Sequence, residues 1–458
     1  MVKFLWCLWL GVFIVCSGAR IRLKRAATDN LHGTTITGYY VTVKLGNPPQ
    51  ELNVIVDTGS SNFAVAGGPN PVISNFYNKS SSNTSVDTGV RSVKVDYTEG
   101  WWMGDVVSDV LSVPSAQLDT SVRVPVADIT NSNKFFVNGS NWVGILGLAY
   151  SDLVLPKGNG LKSVMHEITH QTSTPDLLSM QLCSTSLQDA TYGALLIGEI
   201  DLSLAAGPLY WTPIVKQWYY DIIVSGLKIG DKVVDIDCSD INYDRTIVDS
   251  GTTNLRFPQK VYDIILPIIK ASVVRFYFDQ DFYDGKTMFC TTDPAELYGE
   301  FPNITIYLPS TNENQTIELT IHSASIPQFT TMLDASKQSC YKFAIFPSAI
   351  GTVLGTVLME EYYVVFNRIN SSIGFALSAC HKGSTIQVIN KWINSTNCRY
   401  IPPTKPITYA AYVVLALFCI CLLPLCFLLA FNYFRSKSTP CRPRESYDQL
   451  DDHHEVSH

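Results

Sequence analysis

Three aspartates in this sequence sit in one kind of tripeptide. Asp57 and Asp87 lie in Val-Asp-Thr-Gly, and Asp249 lies in Val-Asp-Ser-Gly. Two carboxylates a few ångströms apart cannot both ionise easily, so such a pair shares one proton. The ionised member can take a proton from a water that attacks a peptide carbonyl. The protonated member can donate to the carbonyl oxygen and stabilise the gem-diol. A pair of this kind titrates as a unit and favours acidic conditions. Three aspartates compete for the two places, and their surroundings decide between them.

Asp57 follows Val54-Ile55-Val56, and Asp249 follows Ile247-Val248. Each carboxylate therefore leaves the end of a buried strand on a tight turn. Gly59 and Gly251 let backbone N–H groups approach the carboxylates. Ser60 and Thr252 can hydrogen-bond them from the outer side, which favours the charged form. Thr58 and Ser250 complete the support for each aspartate. Asp87 has none of this: it follows Asn83-Thr84-Ser85 and precedes a Val-Arg-Ser run after its glycine. It reads as a surface turn, and the catalytic assignment falls on Asp57 and Asp249.

The elements that would hold this pair are mostly strands. Short β-branched and aromatic runs recur, among them Tyr39–Leu45, Leu52–Asp57, Ser92–Tyr97, Ala194–Gly198, Tyr219–Val224, Thr246–Asp249 and Tyr362–Asn367. Gly, Pro, Asn and Asp separate them, which indicates an all-β chain. Helical patterns are few: Leu161–Gln171 is one and Pro258–Val274 another, where Pro267 is expected to introduce a kink. The two aspartate segments also form a hidden repeat: NVIVDTGSSNF (Asn53–Phe63) against RTIVDSGTTNL (Arg245–Leu255). Each half carries a later apolar-apolar-Gly element, GILGLA (Gly144–Ala149) and TVLGTV (Thr352–Val357). Two copies of one arrangement predict two lobes, residues 26–203 and 204–398, with the active cleft between them. The junction is expected near Ser203–Trp211.

Composition and the chain ends bound the setting. The 458 residues are 46% hydrophobic and carry a formal net charge of −7. That is enough chain for two medium domains, and the balance argues against a nucleic-acid surface. Residues 1–19 have the lysine, apolar run and small-residue ending of a secretory signal peptide. Arg22-Leu-Lys-Arg25 has the form of a dibasic processing site, leaving residues 20–25 as a short propeptide. Residues 409–431 are uncharged and long enough to cross a hydrocarbon core of about 30 Å. Arg435, Lys437, Arg442 and Arg444 follow, so the tail 432–458 is expected to be cytoplasmic and the topology type I. Residues 399–408 form a stem. Seven sequons, at Asn78, Asn83, Asn138, Asn303, Asn314, Asn370 and Asn394, all precede the span and are candidate glycosylation sites. Six of the twelve cysteines lie between the leader and the span: Cys183, Cys238, Cys290, Cys340, Cys380 and Cys398. An even number in an oxidising compartment indicates three disulfides, and spacing leaves about 15 pairings open.

At the aspartate motifs the chain resembles the pepsin-like aspartic proteases, and within them the membrane-anchored β-secretase (memapsin) branch. The similar stretches are DTGSSNFAV, KFFVNGSNWVGILGLAY, QWYYDIIV, NYDRTIVDSGTTNLR, CYKFAI and GFALSAC. The resemblance implies a bilobal β fold with a hairpin flap over the cleft, no cofactor and no metal. VDYTEGWWMG (Val95–Gly104) fits the flap pattern, with Tyr97 as the flap tyrosine and Trp102 as its hydrogen-bonding partner. It also implies the pairs Cys183–Cys380, Cys238–Cys398 and Cys290–Cys340. Arg256 matches a subsite arginine that favours a polar or acidic substrate side chain; a surface salt bridge is the alternative. The chain departs from the family pattern at Trp101 and Met103 of the flap, where polar or charged residues are usual. It departs again near Gly226, where an arginine is expected. The substrates implied are peptides or type I membrane proteins, met in the Golgi, endosomes or at the cell surface. Tyr447-Asp-Gln-Leu450 in the tail has the form of an endocytic signal for a clathrin adaptor, and Cys441 is a candidate for palmitoylation.

Two rival readings remain. His166-Glu167-Ile168-Thr169-His170 matches the H-E-x-x-H helix of zinc proteases, in which two histidines hold the metal and the glutamate is the base. Gln171–Asp176 lacks the usual continuation, and no third ligand presents itself. The other rival is a non-catalytic type I glycoprotein that binds through a protease fold. Its sign would be loss of an aspartate or of the flap tyrosine, and neither is lost.

Overall fold

The computed structural model describes residues 31–34, 38–73, 75–116, 118–183, 193–333, 338–390, 395, 397–400 and 406–437. The expected leader and processing site, Asn394, part of the stem, Cys441 and the Tyr447–Leu450 motif lie outside the described residues. Those up to Tyr400 form one compact unit, and the C-terminal helix belongs to a second.

The first aspartate strand, Gln50–Asp57, buries Leu52, Val54 and Val56 on one face. This is the two-residue alternation of a pleated strand. It runs parallel to Gly144–Gly147, with Val56 opposite Leu146 and Asp57 opposite Gly147. Phe63–Ala66 returns antiparallel on the other side of Gly144–Gly147, with Phe63 opposite Leu146. The second half repeats the arrangement. The second aspartate strand, Thr246–Val248, runs parallel to Thr352–Leu354, and Leu255–Pro258 returns antiparallel to it. The two apolar-apolar-Gly elements of the sequence repeat are thus the strands that lie beside the two aspartate strands. Buried on both sides, they read as unbroken apolar runs.

The first half is built on an eight-stranded sheet. The halves also share a five-stranded sheet of Gly193–Ile197, Leu177–Leu182, Tyr362–Asn367, Ser372–Leu377 and Tyr210–Pro213, in that order. The junction expected near Ser203–Trp211 therefore connects two strands of one sheet. A single apolar cluster contains Val56, Leu146, Val248 and Leu354, so the aspartate strands of both halves stand on a common core.

Helical expectations hold with trimmed ends. Ser163 caps Val164–Gln171, its hydroxyl accepting from the His166 N–H, which leaves Leu161 and Lys162 outside. The second helix runs from Gln259 to Ser272 and continues through Pro267. The run Tyr219–Val224 differs from expectation: only Tyr220–Asp221 is in a ladder. The Asn242 side chain takes both the N–H and the C=O of Val224, at 2.9 and 2.7 Å, in place of a partner strand.

Three disulfides, Cys183–Cys380, Cys238–Cys398 and Cys290–Cys340, follow the pairing implied by the family resemblance. The C-terminal helix spans Pro406–Lys437. Its stretch Tyr412–Arg435 is long and apolar enough to cross a membrane, and the expected span 409–431 lies within the helix.

Candidate active site

Asp57 and Asp249 end their strands side by side, 4% and 7% exposed. Each carboxylate receives the same two local hydrogen bonds. The Gly59 N–H donates to Asp57 Oδ1 at 2.8 Å, and the Gly251 N–H donates to Asp249 Oδ1 at 2.8 Å. The Ser60 hydroxyl donates to Asp57 Oδ2, and Thr252 Oγ1 donates to Asp249 Oδ2 at 2.6 Å. The glycines do more than release their N–H groups. A Cβ at Gly59 would stand 2.5 Å from Asp249 Oδ1, and one at Gly251 would stand 2.8 Å from Asp57 Cγ. Each glycine makes room for the aspartate of the other half.

Thr58 and Ser250 tie the two turns together through a reciprocal set of bonds. Thr58 Oγ1 donates to the Val248 carbonyl at 3.0 Å and accepts from the Ser250 N–H at 2.9 Å. Ser250 Oγ donates to the Val56 carbonyl at 2.7 Å and accepts from the Thr58 N–H at 3.1 Å. Both residues are almost fully buried. The sequence marks them as supports, but their reach across about 190 residues of chain is a property of the fold alone.

Burial, and then the charge of Asp249 beside it, raise the Asp57 carboxyl well above the usual carboxylate range. Ser60 and the Gly59 N–H pull the other way, and burial prevails. A proton is thereby kept on the pair at pH values where a free carboxyl has lost it.

The flap hairpin pairs Val95 with Trp102 and Asp96 with Trp101, leaving Tyr97–Gly100 as its tip. Gly100 has φ of +86°, and a Cβ there would lie 2.6 Å from the Lys134 carbonyl oxygen. Trp102 Nε1 donates to the Tyr97 hydroxyl at 3.0 Å. Phe135 stacks against the Tyr97 ring with 5.8 Å between centroids. The Tyr97 phenol is raised first by burial and then by the negative charge of Asp57, while its hydrogen bond with Trp102 pulls the other way.

The other singled-out residues separate clearly. Asp87 is exposed, but it lies in the strand Val86–Asp96 at a register shift and not in a turn. Its carboxylate takes the Gly89 N–H at 2.9 Å and pairs with Arg91, which lowers it to about 2. It has no part in the cleft. Arg256 sits in Leu255–Pro258 with a buried Nε that has no partner, and no ion pair among the described residues involves it. His166 and His170 stack at 6.0 Å on their helix, and Glu167 is bonded by Gln171. Among the described residues no group of three or more His, Cys, Asp or Glu side chains is placed to hold a metal. Of the sequons, Asn78, Asn83, Asn138, Asn303, Asn314 and Asn370 are exposed.

Sequence reasoning assigned no role to Trp218 and Tyr219, which form the tip of the hairpin joining Lys216–Gln217 to Tyr220–Asp221. The Tyr219 phenol is raised by burial, against the pull of the Arg245 charge, and Asp249 and Asp57 add to the rise. The signal available was an aromatic pair shortly before the second aspartate strand.

This geometry can be set beside known proteins. The model of the eukaryotic aspartyl proteases matches residues 38–378. The chain is 36% identical over 464 aligned positions to a protein named beta-secretase from Strongylocentrotus purpuratus, covering 93% of this chain and 84% of that one. It is 27% identical over 349 positions to pepsin A of Gallus gallus, covering 74% and 83%. It is 28% identical over 361 positions to pepsin A of Canis lupus familiaris, covering 76% and 83%. With two aspartate turns of the same construction joined to each other in a mostly β fold, the chain belongs to the eukaryotic aspartyl proteases and is a β-secretase homologue, an aspartic endopeptidase.

Proposed function

We propose that the protein is a membrane-anchored protease that uses Asp57 and Asp249 to cut the ectodomains of other membrane proteins at acidic pH. The observation that carries this reading is the reciprocal construction of the two turns, which holds two buried carboxylates together. In the resting pair Asp57 holds the shared proton. A water between the carboxyls gives a proton to Asp249 as its oxygen bonds to the scissile carbonyl carbon. Asp57 gives its proton to the carbonyl oxygen, and the product is a gem-diol. On collapse the C–N bond breaks, the proton on Asp249 passes to the departing nitrogen, and a gem-diol hydroxyl returns its proton to Asp57. Tyr97 and Trp102, on the flap, exclude water and hold the substrate extended.

The membrane-protein substrate is supported by the C-terminal helix, which would tether the catalytic unit at a surface where other anchored chains lie within reach. Residues 26–203 and 204–398 form the lobes, 1–19 is the leader and 20–25 a short propeptide. The sequons on the exposed face carry glycans. The Tyr447–Leu450 motif engages a clathrin adaptor, giving a cycle among Golgi, cell surface and endosome, where acidity suits the pair.

The test is peptide cleavage by the residues 26–398 unit scanned from about pH 3.5 to about pH 7.5, the range in which such pairs titrate. Asp57→Asn and Asp249→Asn are expected to abolish cleavage and Asp87→Asn to spare it, with a chelator without effect. Cleavage that survives both dyad changes, or is lost to the chelator, would overturn the assignment and return attention to His166, Glu167 and His170.

A further inference from the structure

Arg368 is enclosed, with 5% of its side chain exposed. It follows the strand Tyr362–Asn367 of the shared sheet. Its backbone N–H donates to the Asp176 carbonyl at 3.2 Å, and its Nε donates to Asp176 Oδ1 at 2.7 Å. Its Nη1 donates to the Tyr220 hydroxyl at 3.3 Å, and the guanidinium carbon stands 4.0 Å from the centre of the Tyr150 ring. A buried ion pair is weak evidence for a role in stability, since desolvation offsets much of the attraction. A guanidinium is also a rigid fork, so a carboxylate at Nε fixes the direction in which Nη1 points.

What the fork holds is Tyr220. The Tyr220 hydroxyl accepts from Arg368 and donates to the Leu148 carbonyl at 2.7 Å. Tyr220 is fully buried, so water cannot take either place. Leu148 belongs to the segment that backs the first aspartate turn. Its N–H donates to the Asp57 carbonyl at 2.8 Å, and the Ala149 N–H donates to the Ser60 carbonyl at 2.9 Å. Ser61 Oγ donates to the Tyr150 carbonyl at 2.6 Å. The residue after Tyr220 reaches the second aspartate strand. Asp221 stands opposite Ile247, and its Oδ1 accepts from the Thr246 N–H at 3.2 Å. The Ile222 N–H donates to the Thr246 carbonyl at 2.8 Å. Tyr220 and its neighbours thus connect the support of one aspartate to the strand of the other, on a route separate from Thr58 and Ser250.

We propose that Arg368 is a positioning residue for the reaction. By holding the Tyr220 hydroxyl against the Leu148 carbonyl, it sets the first aspartate turn relative to the second. It acts through Tyr220 and not on the reacting atoms. The proposal rests on Asp57 and Asp249 being the reacting pair.

The experiment measures kcat and KM on one fixed peptide, at a temperature where every variant is folded, and denaturant stability beside them. The variants are Tyr220→Phe, Arg368→Met, Arg368→Lys and the double variant of the first two. Tyr220→Phe is expected to lower kcat about tenfold and to keep KM within about twofold, since a displaced pair weakens the transition state alone. Arg368→Met should lower kcat to a similar extent. Arg368→Lys should lie between Arg368→Met and wild type, since the charge stays and the fork is lost. The double variant also loses the bond to Asp176, so it should be less stable than Tyr220→Phe. Its kcat should nevertheless equal that of Tyr220→Phe, because Arg368 acts through that hydroxyl. An unchanged kcat in Tyr220→Phe, a loss carried by KM alone, or losses of kcat that multiply in the double variant overturn the proposal. A peptide whose scissile amide is replaced by a hydroxymethylene group mimics the gem-diol. Its affinity relative to the same peptide with a plain methylene group reads the pair without turnover, and this ratio should fall about tenfold in Tyr220→Phe. If the wild-type protein cuts nothing, the reading of Asp57 and Asp249 as the reacting pair fails. The affinity ratio still decides the positioning: a fall in Tyr220→Phe supports it, and an unchanged ratio overturns it. Should Arg368→Met not fold, Arg368→Lys takes its place in the double variant with the same two outcomes.

Discussion

Replacing Thr58 by valine tests whether the two aspartate turns are set by each other. Valine keeps the shape of threonine closely and removes only the hydroxyl. The Val248 carbonyl would lose its donor at 3.0 Å, and the Ser250 N–H would lose its acceptor at 2.9 Å. The site is fully enclosed at Thr58 and nearly so at Ser250, so water cannot replace the missing partners. Each buried polar group left unpaired costs about 1–3 kcal/mol, which sums to about 2–6 kcal/mol for the pair. Ser250→Ala strands the Val56 carbonyl and the Thr58 N–H in the same way and should cost a similar amount. Because the bonds form one network, the double variant should lose less than the sum, with a coupling of about 0.5–3 kcal/mol. Denaturant midpoints give the stabilities, and kcat on a fixed peptide gives the effect on the pair. A misplacement of about 1 Å can cost about a hundredfold in rate, so kcat should fall by at least about tenfold. Thr58→Ser retains the hydroxyl and should stay near wild type in both. Thr58→Val within about 0.5 kcal/mol of wild type, or strictly additive with Ser250→Ala, would refute the idea that these bonds set the turns.

Gly59→Ala would bring a methyl group to 2.5 Å from Asp249 Oδ1, so the carboxylates must part; kcat should fall by about a hundredfold or more, as measured by peptide cleavage. Gly68→Ala, where a Cβ meets nothing within 4 Å, should leave activity unchanged and serves as the control. Asp57→Asn should raise stability at neutral pH. The raised Asp57 carboxyl favours folding below its ordinary value of 3.8, and that contribution is lost as pH rises through its folded value. The gain over wild type, followed by thermal melting, should therefore shrink as pH is lowered towards 3.8; a constant gain would refute the burial argument.

The fold and the pair are legible where the relevant physics is local. An apolar strand running into Asp-Thr/Ser-Gly with a hydroxyl after it states its own turn, and the Ser60 and Thr252 bonds span only three residues. The apolar-apolar-Gly elements are visible as a repeat, but that each lies parallel beside an aspartate strand depends on closure across about 90 residues in the first half. Asp87 reads correctly as exposed and wrongly as a turn, because a strand bulge at Gly89 uses the same glycine and the same aspartate-to-N–H bond as a turn does. Tyr219–Val224 shows the opposite error. Its β-branched and aromatic pattern promises a ladder, but at its end a single side chain, Asn242, takes the N–H and C=O of Val224 in place of a neighbouring strand.

What escapes the sequence is the relation between the halves. Thr58 and Ser250 differ in no local property from the hydroxyl residues beside them. Their role exists only when residues 192 apart meet. The glycines show the same limit: each gives its N–H to its own aspartate, but the clearance it provides is for the aspartate of the opposite turn, which its own motif does not show. A site whose two aspartates come one from each half of the sequence repeat has to encode their spacing in contacts between the two turns. The reciprocal bonds of Thr58 and Ser250 and the reciprocal clearances of Gly59 and Gly251 are those contacts. They also explain why the two tripeptides resemble one another so closely, since each turn is the other's binding surface.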